Sequence, residues 1–387
     1  RTFLEKLLDG AEVEWKPLDE VFHLKNGYTP SKGIKEYWEN GSIPWFRMED
    51  IRENGRILNT ALQKVSESAV KGGKLFPANS IIIATSATIG EHALITIPFL
   101  ANQRFTVLSL KPEYIDKFNI YFLYHYCFTL DDWCQKNTTM SSFASVDMNG
   151  FRRFPIPIPP LPVQTEIVKI LDALTALTSE LTSELTSELV LRQKQYEYYR
   201  EKLLSFDSLE QLNSGGGKKK LIDVCINIFS GKNKERNDSG LYPIYGSTGI
   251  IGKTNKKEFS NEQILVARVG ANAGYVHIAK GEYDVSDNTL IVQNNENIDL
   301  KFLYHTLVNM KLNQYAKGAG QPLITAGQLK SMEINVPSLE EQQCIVSILD
   351  KFETLTNSIT EGLPLAIEQS QKRYEYYREL LLNFNNT

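Results

Sequence analysis

The chain has 387 residues, 42% hydrophobic and 23% charged, and a formal net charge of −4. That composition suits a globular protein with room for two or three domains. No apolar run reaches the ~18 residues of a membrane span, and no secretory signal pattern opens the sequence.

In chain order, Glu5-Lys6-Leu7-Leu8 comes first. Residues 1–158 then read as a globular domain of mixed strands and short helices. The apolar, β-branched runs Ser80–Thr85 and Phe105–Leu110 are strand candidates. Lys25-Asn26-Gly27-Tyr28 and Asn54-Gly55 mark turns. Loops on a rigid scaffold carry binding groups more often than cores do, and these loops offer amide, hydroxyl, guanidinium and aromatic groups that suit base edges and phosphates, with Lys25, Tyr28, Thr29, Ser31, Arg47, Gln103 and Arg104 as the candidate contacts.

Residues 159–206 predict one long helix. Prolines 155, 157, 159, 160 and 162 mark its start. Val163, Ile167, Ile170, Leu174, Leu177, Leu181, Leu185 and Leu189 step by three or four along one face. Inside it, Thr-Ser-Glu-Leu occurs three times over Thr178–Leu189. Each such unit adds ~6 Å and drifts the leucine stripe by about 40°.

Residues 207–336 predict a second mixed domain, with strand candidates Gln263–Ala267 and Thr289–Gln293 and turns at Tyr245–Gly249 and Gly270–Gly274. Its candidate contact residues are Lys232, Tyr245, Ser247, Thr248, Arg268 and Asn288. Residues 337–387 predict a second long helix, with a kink or break where Gly362 and Pro364 stand.

The two helical stretches repeat at a constant offset of 178, without a gap. Of the 48 positions from Pro159–Phe206 paired with Pro337–Phe384, 23 are identical, which rules out chance. The domains repeat more weakly: Ile81–Thr85 resembles Ile264–Arg268, and Phe122–His125 matches Phe302–His305. Glu5–Leu8 resembles Glu201–Leu204, so the N-terminus reads as the completion of a helix begun at the C-terminus. The arrangement implied is circular, with the two helices pairing antiparallel about a pseudo-twofold axis. Tyr196, Tyr199 and Arg200, with their repeats Tyr374, Tyr377 and Arg378, predict packing at the helix ends or a contact with a partner subunit.

Charge is uneven. Residues 210–336 hold 15 Lys+Arg against 12 Asp+Glu, residues 11–158 hold 16 of each, and the helical stretches are acidic. Such a chain is not expected to supply all the phosphate binding of a DNA complex. Cys127, Cys134, Cys225 and Cys344 lack CxxC spacing and read as reduced thiols of a cytosolic protein, with no metal site. Gly246–Thr254 fails the phosphate-loop spacing because position 247 is Ser. No nucleotide, zinc-protease, nucleophile-elbow or adenine-methyltransferase motif occurs. His125 and His305 predict packed structural histidines.

The order of domain, Ile-Pro-x-Pro-Pro-Leu-x-x-Gln, long helix and Tyr-Glu-Tyr-Tyr-Arg-Glu-x-Leu-Leu, then the same again, resembles the specificity subunits of type I restriction–modification systems. The motifs stand at Ile156–Gln164 with Tyr196–Leu204 and at Ile334–Gln342 with Tyr374–Leu382; Asn335 and Ser338 depart from the first copy's prolines. Gly27–Pro30 and Ile43–Arg47 also match the family's recognition domains. The resemblance implies an α/β mixed (α+β) fold, with two target-recognition domains separated by two long antiparallel helices. It implies that each domain reads half of a split double-stranded DNA target through the major groove, and that the helices set the unspecified gap. It also implies two modification (methyltransferase) subunits using S-adenosylmethionine, and restriction/translocase subunits using ATP and Mg. The chain itself would then be non-catalytic, cofactor-free, cytoplasmic and away from membranes. The competing readings are a non-catalytic protein-interaction scaffold with a helical spacer, and a self-sufficient methyltransferase or nuclease.

Overall fold

A computed structural model of the chain describes residues 3–139, 144–211, 217–235, 238–318, 320–358 and 361–384. The chain divides into two compact units: Arg1–Leu181 with Ser370–Thr387, and Thr182–Gln369. The first therefore draws on both ends of the sequence.

The first unit is built on a five-stranded sheet in the order Phe22–Asn26, Phe105–Leu110, Ser80–Ala84, His92–Ile95, Ile57–Leu58. All neighbours are antiparallel except the last pair. Ser80–Ala84 is buried at every position, and strand alternation explains its unbroken isoleucine run. Ile81 and Ile83 pack with helix Ile120–Lys136, while Ile82 and Ala84 join a second core containing Phe46 and Phe99. A three-stranded sheet, Lys64–Val65, Ile43–Phe46 and Leu100–Ala101, carries that second core, and its last pair is parallel. Glu14–Pro17 pairs with Pro155–Ile158.

The second unit repeats the plan. Its four-stranded sheet runs Cys225–Ser230, Thr289–Asn294, Gln263–Ala267, Val276–Ala279, and its three-stranded sheet runs Gly249–Thr254, Tyr242–Gly246, Asp284–Val285. Gly217–Lys220 pairs with Glu333–Val336. Ile264 and Val266 face helix Leu300–Asn309, and Leu265 faces Tyr283 and Val285. The strand candidates read from sequence thus form, but the flanking strands Phe22–Asn26, Cys225–Ser230, His92–Ile95 and Val276–Ala279 escaped that reading.

The first long helix runs unbroken from Leu161 to Leu203, and the boundary between the units falls within it, inside the Thr-Ser-Glu-Leu repeats. The second stretch is interrupted as expected: one helix spans Leu339–Asn357 and the next Leu363–Leu382. Gly362 has φ +93°, a conformation that favours glycine. Each helical stretch is rooted in its unit by a buried glutamine of the repeat. Gln164 accepts from Asn119 N (2.9 Å) and donates to Pro159 O (2.8 Å) and Lys117 O (2.9 Å). Gln342 likewise accepts from Asp299 N (2.7 Å) and donates to Pro337 O (2.8 Å) and Asn297 O (3.4 Å). Asn119 and Asp299 are the N-caps of the helices under the sheets, so one amide joins two helix starts.

Helix Phe3–Leu8 buries Leu4 and Leu8 in a core shared with Leu381, Leu382 and Phe384. The two chain ends therefore pack together. Phe3–Leu8 precedes Glu14–Pro17 at the spacing by which helix Phe206–Gln211 precedes Gly217–Lys220. The N-terminal helix is thus placed as the counterpart of that following helix, one step beyond the Glu201–Leu204 match suggested by sequence.

Candidate nucleic-acid interface

In the first unit the candidate residues gather around Gly27. A Cβ on Gly27 would stand 2.2 Å from the Asn102 carbonyl oxygen and 2.3 Å from that of Ala101. Only glycine lets this loop lie against the end of strand Leu100–Ala101. Main-chain bonds close the seam: Gly27 N to Phe105 O (2.9 Å), Tyr28 N to Ala101 O (2.8 Å), Asn102 N to Phe46 O (3.0 Å) and Thr85 N to Arg104 O (3.1 Å). Tyr28, Thr29, Arg47, Gln103 and Arg104, scattered in sequence, are thereby brought together.

Thr29 Oγ1 donates to Gln103 Oε1, and Trp45 Nε1 donates to Tyr28 O (3.0 Å). Arg47 caps helix Met48–Asn54, where its N–H donates to the buried Asp50 carboxylate (2.7 Å). Its guanidinium lies 5.6 Å from the Trp45 ring centre, and its buried Nε has no hydrogen-bond partner among the described residues. The Tyr28 hydroxyl is committed to structure: it accepts from Lys71 N (2.9 Å) and donates to Ala69 O (3.4 Å). Lys71, which sequence reasoning did not select, holds its ammonium 4.8 Å from the Tyr28 ring centre. Exposed Lys25 lies in strand Phe22–Asn26, with its ammonium 5.9 Å from the Phe76 ring centre. Ser31 is exposed, and its carbonyl accepts from Trp38 Nε1 (3.0 Å).

The second unit reproduces the frame. A Cβ on Gly231 would meet Ser286 O at 2.4 Å and Val285 O at 2.5 Å. Gly231 N donates to Thr289 O (2.9 Å), Asn233 N to Val285 O (3.0 Å), Ser286 N to Tyr245 O (2.9 Å) and Arg268 N to Asn288 O (2.9 Å). By these bonds Arg268 stands where the first unit has Thr85, and Asn288 where it has Arg104. The frame is the same, but the chemistry it carries differs.

Arg268 is half-buried, and among the described residues its guanidinium makes long contacts, to Ser230 Oγ (3.4 Å) and Asp287 O (3.5 Å). Ser247 donates to Asn288 O (3.4 Å), and Thr248 and Lys232 are exposed. Tyr245 occupies the place of the fully buried Phe46. Its ring meets Tyr283 edge-on at 5.3 Å, as Phe46 meets Phe99 at 5.7 Å, so most of it walls a core. His277 stacks with it at 6.1 Å, and its two ring nitrogens are buried without a partner among the described residues. Burial pushes the His277 pKa down to about 4.

The helix-end residues separate into two kinds. Tyr196 and Tyr374 are only 7% and 9% exposed, whereas Tyr199 and Tyr377 are 37% and 44% exposed. The Tyr196 hydroxyl lies 3.3 Å from His305 Nδ1, and His305 Nε2 lies 3.0 Å from Asp350 Oδ1. In the first unit His125 Nε2 lies 2.9 Å from Asp172 Oδ1, and Tyr374 accepts from Thr175 Oγ1 (3.0 Å). The Arg378 guanidinium covers the Phe128 ring at 4.2 Å, and that of Arg200 lies 5.0 Å from the Tyr196 ring centre. Tyr196 and Tyr374 are thus engaged within their own units. Burial pushes the pKa of both histidines down, against the opposing pull of their aspartates.

His305, Asp350 and Glu353 lie close enough to suggest a metal site. Yet Lys301 donates to Asp350 at 2.5 Å and Tyr304 to Glu353 at 3.0 Å. Thr175 takes the place of Glu353 in the other copy. The donor set fits a helix-end lock better than a cation.

A family model described as the type I restriction modification DNA specificity domain matches residues 11–191 and 214–369. The chain is 53% identical to the type I restriction enzyme EcoprrI specificity subunit of Escherichia coli, covering 93% of this chain and 92% of that one. It is 42% identical to a putative type I restriction enzyme specificity subunit of Haemophilus influenzae, over 100% and 99%. In fold it matches a chain from work on complex assembly and conformational transition of the type I R-M system (TM-score 0.69, 16% identity, 96% and 98% covered). It also matches the HsdS subunit of Thermoanaerobacter tengcongensis (TM-score 0.55, 17% identity, 96% and 95% covered).

Proposed function

The chain belongs to the type I restriction–modification DNA specificity family and is a specificity subunit; on that premise we propose that each of its two units reads one half of a bipartite DNA target. One observation carries this. A single main-chain frame, seated on Gly27 in one unit and Gly231 in the other, holds different side chains at matching positions: exposed Arg104 against half-buried Asn288, and half-buried Arg268 where the first unit has Thr85, buried with its hydroxyl 2.9 Å from Thr106 Oγ1. Two like scaffolds with unlike surfaces suit two different half-sites. The groups offered are those that read base edges in the major groove: guanidinium for guanine, carboxamide for adenine. Lys25, Tyr28, Thr29, Ser31 and Gln103, with Lys232, Tyr245, Ser247 and Thr248, complete the proposed surfaces.

The subunit is non-catalytic. Methyl transfer with S-adenosylmethionine belongs to two modification subunits, and ATP- and Mg-dependent translocation and cleavage to restriction subunits. Exposed Tyr199 and Tyr377 are candidate contacts for the modification subunits. The chain's near-neutral charge fits phosphate binding shared with those partners. These reactions take place in the cytoplasm; no helix among the described residues is long and apolar enough to cross a membrane. The helix Leu161–Leu203 acts as the ruler of the gap.

The test is to assemble the chain with its modification subunits and map methylated positions across random DNA. A split target, bound with strong salt dependence, is expected. Removing Thr182–Leu185 takes ~6 Å and ~40° net from the helix and should shorten the gap with both half-sites intact. Binding indifferent to salt and sequence would instead favour the scaffold reading.

A further inference from the structure

Each unit has another element beside its reading face. In the first unit, strands Thr138–Thr139 and Ser145–Val146 form a hairpin. Val146 N donates to Thr85 O (3.0 Å), and Ser86 bridges to Ser145. In the second unit, Lys317 and Leu323 exchange main-chain bonds of 3.0 and 2.9 Å. Ile324 N donates to Arg268 O (2.9 Å), and Val269 bridges to Leu323. Thr85 and Arg268 are therefore held from both sides. Their N–H groups are tied to Arg104 and Asn288, and their carbonyls to the two hairpins. The same geometry sets the second pair against Arg268 itself and the first against Thr85, whose N–H is tied to Arg104.

The segments leaving the hairpins match as well. Asp147 caps helix Met148–Arg152, and Thr325 caps helix Ala326–Ser331, so the returning strand is anchored in both copies. Only the exposed chemistry differs. The first hairpin carries hydroxyls: Thr138, Thr139 and Ser145, with Thr139 Oγ1 2.8 Å from Ser145 Oγ. The second carries exposed Lys317 and Gln321, and neither side chain has a hydrogen-bond or ion-pair partner among the described residues. Shared anchorage with different described side chains is the pattern already seen across the Gly27 and Gly231 frames.

We propose that these hairpins are a second reading element in each unit, and that in the second unit Gln321 contacts a base edge while Lys317 contacts a neighbouring phosphate. The proposal rests on the DNA-reading function above. A glutamine carboxamide matches the paired donor and acceptor of adenine, and a lysine ammonium suits a phosphate oxygen.

The experiment uses the full chain assembled with its modification subunits and profiles methylation on a target library. Gln321→Ala should lower discrimination at one base position about tenfold or more, in the half-site that Arg268→Ala also alters. The other half-site, read by the same molecules, should stay unchanged and so report folding and assembly. Gln321→Glu keeps the shape but loses the amide donor, and should change the preferred base at that position. Lys317→Ala should weaken all targets alike and reduce the slope of log affinity against log salt by ~0.9. If both Gln321 variants leave that half-site intact while Arg268→Ala changes it, the hairpin proposal is overturned and the reading function stands. If none of these variants changes target choice, both are overturned.

Discussion

Replacing Gly27 by alanine tests the reading frame directly. The added Cβ would sit 2.2 and 2.3 Å from two main-chain oxygens, on Asn102 and Ala101. Comfortable contact lies above 3 Å, so the two backbones must separate by roughly 1 Å. Neither oxygen can rotate away as a side chain would. The displacement strains the bonds Gly27 N–Phe105 O (2.9 Å) and Tyr28 N–Ala101 O (2.8 Å). Overpacking costs about 1–3 kcal/mol and a weakened main-chain bond about 1 kcal/mol. The expected loss is about 2–4 kcal/mol of stability in the first unit. The functional consequence is more specific. Gln103 and Arg104 ride on the displaced segment, and the base contacts proposed for them would be lost over such a distance. Gly27→Ala should therefore blur one half-site and spare the other, and Gly231→Ala should do the reverse. Urea unfolding gives the stability change, and methylation profiling of the assembled complex gives the half-sites. A Gly27→Ala protein of unchanged stability that reads both half-sites normally would refute the reasoning.

Three further outcomes are expected. Gln164→Ala leaves Asn119 N–H and the Pro159 and Lys117 carbonyls without partners, and should cost about 3–5 kcal/mol by denaturant titration; Gln342→Ala should cost less, since its bond to Asn297 O is already 3.4 Å. His277 has a folded pKa near 4, below its ordinary 6.5, so it binds fewer protons folded than unfolded between those values. Its share of stability is present above about pH 6.5 and declines as pH falls towards 4; His277→Phe should flatten that part of a pH–stability curve, and an unchanged curve would remove His277 from the account. Arg47→Ala and Arg268→Ala should each cost about 1–3 kcal/mol in binding and relax one position of one half-site; quantitative binding to single-base target variants checks both.

The long helices were legible because their signals are local: a leucine step of three or four, prolines at the start, and Gly362 at the break. The central strands were legible for the same reason, from runs such as Ile81–Ile83. What escaped depends on residues far apart in sequence. Gly27 looked like a turn glycine and Gly231 was not singled out; only the approach of Ala101 and Val285 makes them indispensable. The flanking strand Cys225–Ser230 carries asparagine and an exposed Ile226, so no alternation announces it. Tyr245 was chosen for its hydroxyl and ring, yet its partner position is Phe46, and a phenylalanine there would have signalled a core. Tyr196 and Tyr374 carried no mark distinguishing them from exposed Tyr199 and Tyr377, because helical phase alone does not say which face a neighbouring domain covers. The strands Thr138–Thr139 and Ser145–Val146 and the Lys317–Leu323 bridge are too short and polar to register as strands. Comparing the two copies was the one available signal, since Val146 and Ile324 share the constant offset of 178.

Every hydrogen bond that aligns the two reading frames runs from main chain to main chain. Apart from the two glycines, these bonds make no demand on side-chain identity. Residues such as Arg104, Asn288 and Arg268 resemble type set in a fixed forme: a letter can be changed without recasting the block. On the proposed reading function, such a surface can drift from one DNA word to another through single substitutions at those positions. The rate at which new words arise is then set by the fit to DNA, and stability exerts little drag.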